Sequence, residues 1–155
     1  MHWIECLVYK QELVNPLLRA LRAAHQVPLQ HGFVAVPIDE ALLQEFAAVS
    51  HVDISARGPA LGEEEPEPVP AVFLESVSRH HPVAWVRTRY FGGTGEQAAG
   101  VWENGCAVLG PLVSKAIGPI NAALQRIGVP KDQESFDEFE SVGLGEHREF
   151  QRSRP

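Results

Sequence analysis

Apolar residues recur along the chain with two different periods, which together predict a protein of mixed strands and helices. Residues 3–9 form a short segment rich in β-branched and aromatic residues, and this composition is typical of a strand. Alternation places Cys6 and Val8 on one face of that strand and Leu7 and Tyr9 on the other. Both faces of the strand are apolar.

Apolar positions spaced three to four residues apart predict helices after this strand. Asn15 and Asp39 are suitable N-cap residues for two helices, and the first should run about three turns. Residues 27–38 lie between them and predict a second strand. Pro70 can open a third helix, and Gly128 is placed to end a last one.

Residues 83–111 hold the clearest hairpin signals of the chain. The Asn104-Gly105 dipeptide lies between two apolar runs and predicts a two-residue turn, because both turn residues must take positive φ. The Gly92-Gly93-Thr94-Gly95 segment predicts a wider connection just before it. We therefore expect three consecutive antiparallel strands.

These elements predict an α+β protein, with a mainly antiparallel sheet of about five strands and the helices packed on one face. The expected order is β-α-β-α-loop-α-β-β-β-α. Residues 1–155 should form a single domain. Within it, 51–69 reads as a mobile acidic loop rich in Pro and Glu, and 146–155 as a fraying tail.

Composition narrows the range of partners. The net charge is −7, which disfavours nucleic acid and anionic membranes but permits a basic protein partner, and a homodimer stays open. The N-terminal residues do not resemble a secretory leader, so we expect a cytoplasmic protein. Cys6 and Cys106 lie in apolar runs and are expected to be buried thiols.

Catalytic and metal-binding motifs are missing from the sequence. It contains no HExxH, CxxC or GxSxG pattern, and the adjacent His80 and His81 would point in different directions. We therefore expect no metal and no cofactor, and the interpretation favours a non-catalytic protein.

One segment matches the letters of a dinucleotide-binding fingerprint. Gly93-Thr94-Gly95-Glu96-Gln97-Ala98 fits GxGxxG/A and follows a predicted strand. That fingerprint requires a helix after the glycines, and the Asn104-Gly105 turn follows too soon for a crossover helix. A glycine-rich hairpin loop is the better interpretation.

The strand before this loop carries the predicted binding surface. Trp85, Arg87, Arg89 and Phe91 alternate onto one face, and two arginines are unusual on a core-facing strand. We expect that face to be at least partly exposed, while the opposite face suits the core. The predicted binding residues are Trp85, Arg87, Arg89, Phe91, Gly92, Gly93, Thr94, Gly95 and Glu96.

Two functions follow from this surface. The first is a small acidic binding protein that engages another macromolecule without catalysis, in an immunity or inhibitor-type role. The alternative is a small-molecule enzyme or ligand-binding domain with an anion site at Gly92-Gly93-Thr94-Gly95. In that alternative, Arg87 or Arg89 would neutralise the ligand, and Glu96 or His81 could move protons.

Overall fold

The computed structural model describes residues 2–54, 69–91, 94–115 and 118–146. Most of the predicted acidic loop over 51–69 and nearly all of the predicted tail over 146–155 lie outside these residues. Every statement below concerns the described part of the chain.

Six strands and five α-helices are described. The strands are β1 (His2–Lys10), β2 (Val27–Pro28), β3 (Phe33–Pro37), β4 (Val83–Phe91), β5 (Thr94–Glu103) and β6 (Cys106–Ser114). The helices are α1 (Pro16–Ala20), α2 (Glu40–Ser50), α3 (Ala71–Ser78), α4 (Pro119–Arg126) and α5 (Glu138–Val142). Single 3-10 turns occupy Gln30–Gly32 and Leu144–Glu146.

All the strands join one sheet in the order β2-β3-β1-β4-β5-β6, and neighbouring strands are antiparallel. This confirms the α+β class and the antiparallel sheet. The predicted second strand is in fact two strands, β2 and β3. His31 (φ 59°) and Gly32 (φ 75°) take the left-handed conformation between them, and these two successive residues end the extended run.

Helices pack on both faces of the sheet, so the expectation that they occupy one face is wrong. The front face, which carries Leu7 and Trp85, packs with α1, α2 and α3 in one hydrophobic cluster. The back face, which carries Cys6 and Val86, packs with α4 and α5 in another. The physical reason lies in β1 and β4, which bear apolar side chains in both alternating sets and therefore have two faces to bury.

Both predicted helix caps are present. The Asn15 side-chain oxygen accepts a hydrogen bond from the Leu18 amide at 3.1 Å, and that of Asp39 from the Leu42 amide at 2.9 Å. The first helix is shorter than expected, because Leu21 is already extended at its C-terminal end.

The three consecutive strands predicted over 83–111 are confirmed as β4, β5 and β6. Asn104 (φ 53°) and Gly105 (φ 80°) form the two-residue turn between β5 and β6. The connection between β4 and β5 includes Gly92 and Gly93, which lie outside the described residues.

The pairing of β5 with β6 shifts register around Gly100. A Cβ atom at Gly100 would lie 2.7 Å from a ring carbon of Trp102 and 3.0 Å from the Leu109 carbonyl oxygen. The Trp102 ring is buried and meets Trp85 edge to face, with ring centroids 6.4 Å apart. Glycine therefore allows this tryptophan pair to form beside the bulge.

Gly100→Ala is expected to destabilise the protein by about 1–3 kcal/mol, because the added methyl group displaces the Trp102 ring from a packed core. Chemical denaturation measures the loss, and near-ultraviolet circular dichroism reports the tryptophan pair. Gly145→Ala is the control, since a Cβ there meets its nearest neighbour at 3.5 Å, an ordinary contact. Equal stabilities of the two variants would contradict the packing described.

Candidate functional site

Charged residues interrupt the apolar front face toward one end of β4 and β5. Arg87 lies opposite Glu5 of β1, and Arg89 lies opposite Glu96 of β5 in the strand register. Residues directly opposite each other in antiparallel strands share a face, so these four side chains belong to one cluster. We call Glu5, Arg87, Arg89 and Glu96 the charged cluster.

The Glu96 carboxylate lies near both guanidinium groups of the charged cluster. The Oε1 atom of Glu96 is 3.6 Å from Nη2 of Arg87 and 3.9 Å from Nη1 of Arg89. The Arg87 guanidinium also lies over the Trp85 ring, 5.7 Å from its centroid. Opposite charge and an aromatic face thus compensate Arg87 within the sheet.

The predicted exposure of this strand face is wrong for its first two residues. Trp85 and Arg87 are each 1% exposed, while the Arg89 side chain is 22% exposed. Trp85 packs in the front hydrophobic cluster with α1, α2 and α3. Arg87 lies over its ring, on a strand flanked by β1 and β5. The opposite face is buried as expected at Ala84 and Val86.

Of the remaining predicted binding residues, Gly92 and Gly93 lie outside the described residues, and Phe91, Thr94 and Gly95 lie at the far end of the β4–β5 pair. Phe91 pairs with Thr94, and Gly95 pairs with Tyr90, in the last two ladder positions. The predicted anion site at this loop would require an anion to approach arginines that already share the Glu96 carboxylate.

His81 lies at the opposite end of β4 from Glu96. His81 lies two residues before Val83, the first residue of β4, whereas Glu96 pairs with Arg89, six residues further along. Six residues of strand span roughly 20 Å at about 3.3 Å per residue. His81 therefore lies too far from Glu96 and Gly95 to move protons at an anion site beside them, and of the two alternatives only Glu96 lies near that site.

Instead, His81 belongs to a buried network with Asn15. The Asn15 amide nitrogen lies 3.1 Å from the Val77 carbonyl oxygen and 3.2 Å from Nε2 of His81. Nδ1 of His81 lies 3.0 Å from the carbonyl oxygen of Pro82, which can only accept. Nδ1 therefore carries the proton of the neutral ring, and Nε2 accepts from Asn15.

Protonation would disrupt this network, because a second N–H on His81 would point at an amide that already donates. Burial lowers the pKa of His81 below its ordinary value, and the neighbouring His80 charge acts in the same direction. His81 is consequently a neutral structural residue.

His31, Asp132 and Ser141 come together across more than a hundred residues of sequence. Asp132 Oδ2 and Ser141 Oγ both approach the same ring nitrogen, Nε2 of His31, at 2.8 and 3.2 Å. In a Ser-His-Asp triad they would engage different nitrogens. Ser141 also lies 2.6 Å from the Pro130 carbonyl oxygen, which receives its only proton. The cluster ties chain segments together and lacks an activated nucleophile.

Strand β6 is the exposed surface that the sequence interpretation missed. It forms an edge of the sheet, and none of its residues is buried. Val108, Leu112 and Val113 are 40%, 41% and 37% exposed, and they make up half of the exposed large hydrophobic residues in the described chain. Cys106, at the start of β6, is exposed rather than buried as expected.

The signal for this surface is present in the sequence. Residues 106–113 contain no charged side chain, and they follow the last predicted turn. Such a run reads equally well as a buried strand, so only its position at the edge of the sheet reveals its exposure.

Comparisons with known proteins do not extend this description. No protein-family model, no curated protein and no solved structure matches the chain.

Within the described ranges, no three His, Cys, Asp or Glu side chains come together as a metal site requires. None of the helices formed by these residues is long and apolar enough to cross a membrane.

Arg87→Gln is expected to cost about 3 kcal/mol of folding free energy, because it removes one partner of a buried ion pair. Arg89→Gln is the matched control and should cost less than about 1 kcal/mol, since that side chain is partly solvated. Urea denaturation measures the free energy of unfolding of both variants. Small and equal losses of that free energy would show that Arg87 is solvated, as the sequence pattern predicts.

The free energy of unfolding should fall as the pH drops below about 6.5, the ordinary pKa of histidine. The unfolded chain protonates at His81 before the folded chain does, so stability is complete above that value and is lost as the pH falls toward the lowered pKa. Denaturation at several pH values measures how steeply the free energy of unfolding changes with pH. His81→Gln does not titrate at this position and should show a weaker dependence on pH. An unchanged dependence would contradict the buried Asn15–His81 network.

Proposed function

We propose that this protein is a non-catalytic binding protein that engages another protein through the edge strand β6. One observation carries the proposal, namely the exposed apolar edge of the sheet between Cys106 and Ser114. Natural proteins usually protect such edges with charge, proline, bulges or cover, and an unprotected stretch is a template for a further strand. In β6 the stretch before Pro111 carries no charge. The occupant that fits is an extended segment of a partner protein.

The chemistry of β6 defines how that segment would pair. Pro111 has no amide hydrogen and interrupts the row of main-chain donors. Gly110, with a φ of 69°, also departs from extended geometry. A partner strand therefore pairs with residues 106–109, and its side chains reach Leu112 and Val113 beyond the proline. Main-chain hydrogen bonds contribute affinity and orientation. Burial of the apolar side chains of β6 against the partner adds to that affinity.

Charge favours a different protein over a second copy as the occupant. Each chain carries a net charge of −7, so two copies repel each other while a basic partner is attracted. The apolar stretch 106–113 has no charge of its own to offset that repulsion. An inhibitor-type role, in which the chain covers a basic protein, is consistent with this balance.

Val108→Ser/Leu112→Ser is expected to weaken capture of the partner by at least about tenfold, because both changes remove exposed apolar contacts from the surface. Tagged wild-type and variant proteins are used to capture partners from extracts of the native host, and the recovered protein is quantified. Val49→Ser/Phe136→Ser is the matched control, since Val49 is 50% and Phe136 76% exposed elsewhere on the molecule.

Two results would contradict this proposal. One is equal capture of the same protein by the β6 variant and the control. The other is a purified protein that light scattering shows to be a dimer, and that becomes a monomer in the β6 variant. The second result would make β6 the contact between two copies of the chain.

A further inference from the structure

A cavity of about 350 Å³ opens on the front face beside α1, far from the proposed binding edge. The lining residues that matter most for a ligand are Tyr9, Gln11, Leu18, Arg19, Leu21 and Gln26. Taking about 30 Å³ for each group, the cavity has room for on the order of ten non-hydrogen atoms. Its size is thus that of a small-molecule site.

The polar side of this cavity offers hydrogen-bond donors and one positive charge. Arg19 is the single formally charged residue among the described lining residues, and no carboxylate accompanies it there. Gln11 and Gln26 add amide groups. An anion is therefore the ligand charge that this lining favours.

Tyr9 supplies a buried donor to the cavity. It is 2% exposed, and its hydroxyl oxygen accepts a hydrogen bond from Nε2 of Gln26 at 3.1 Å. Accepting that bond leaves the hydroxyl proton to be donated. Burial raises the pKa of Tyr9, more than the Gln26 hydrogen bond lowers it, so the proton stays in place at neutral pH.

The wall behind Tyr9 is fixed before any ligand binds. The His81 ring packs against the Tyr9 ring, with centroids 4.7 Å apart. Asn15, another lining residue, holds His81 and caps α1 through its side chain. This arrangement restricts the Tyr9 ring, so a ligand would not have to pay the full cost of ordering it.

The other side of the cavity is apolar. Leu13, Leu18, Leu21 and Val36 line it, and Val14, 59% exposed, lies at its rim. This apolar side and the hydrogen-bond donors on the polar side together favour a ligand that has an apolar body and an anionic end.

We infer that this cavity is a binding site for a small amphipathic carboxylate. Arg19 pairs with the carboxylate, the Tyr9 hydroxyl donates to it, and the apolar body lies against Leu18 and Leu21. The site is independent of the proposed function, because it lies on the β1 side of the sheet. About three strand spacings, or roughly 14 Å, separate β1 from β6 within the sheet.

Nuclear magnetic resonance titration with sodium hexanoate and with sodium phenylacetate tests the inference. Saturable shifts are expected at Tyr9, Leu18 and Leu21 with at least one of these probes, at concentrations up to about 10 mM. Hexanamide, which has the same chain but no charge, should bind at least about tenfold more weakly than hexanoate.

Arg19→Gln should weaken binding of the carboxylate about tenfold, because it removes the single charge of the described lining. Arg22→Gln is the control, since Arg22 is exposed and does not belong to that lining, and it should leave binding unchanged. The dispersion of the amide spectrum shows that each variant is folded.

The inference is overturned if neither probe gives saturable shifts. It is also overturned if Arg19→Gln binds as tightly as the wild type, or if hexanamide binds as tightly as hexanoate. The wild type and Arg19→Gln should both still capture the partner of β6. If the cavity binds no carboxylate, the proposed function can therefore still be tested separately.

Discussion

The burial of both faces of the central strands is the constraint on which the rest of this structure depends. β1 and β4 lie between other strands, with α1, α2 and α3 in front of the sheet and α4 and α5 behind it. Every side chain on these strands must then suit an interior, whichever direction it points. Arg87 is tolerated there because Glu96 and the Trp85 ring compensate its charge.

The same constraint determines where a partner can bind. Inner strands offer neither free edges nor uncovered faces, so recognition is directed to the margins of the sheet. β6 is such a margin, and none of its residues is buried. The cavity beside α1 is another, where a short helix covers the front face incompletely. The two places are separate enough to bind different ligands.

Local chemistry explains what the sequence could predict. The caps at Asn15 and Asp39 and the turn at Asn104-Gly105 depend on neighbouring residues alone, and the structure confirms them. Strand alternation also predicted the two faces of β1, with Cys6 on one and Leu7 on the other. These features need no knowledge of distant contacts.

Errors arose wherever the outcome depends on which strand lies beside another. Two arginines on β4 indicate an exposed face if that strand is at an edge, but a compensated interior cluster if it is central. The uncharged run in β6 indicates a core strand when paired on both sides, but an exposed surface when it is last. The sequence pattern alone does not distinguish these cases, because strand order results from long-range pairing.

Hydrogen exchange of the protein, free and bound to its captured partner, tests the central claim most directly. Amides of β1 and β4 should exchange slowly in both states, because they lie inside the sheet. Amides of residues 106–109 should exchange faster in the free protein and become protected in the complex. Protection confined to another element, with β6 unchanged on binding, would contradict the assignment of this edge as the binding surface.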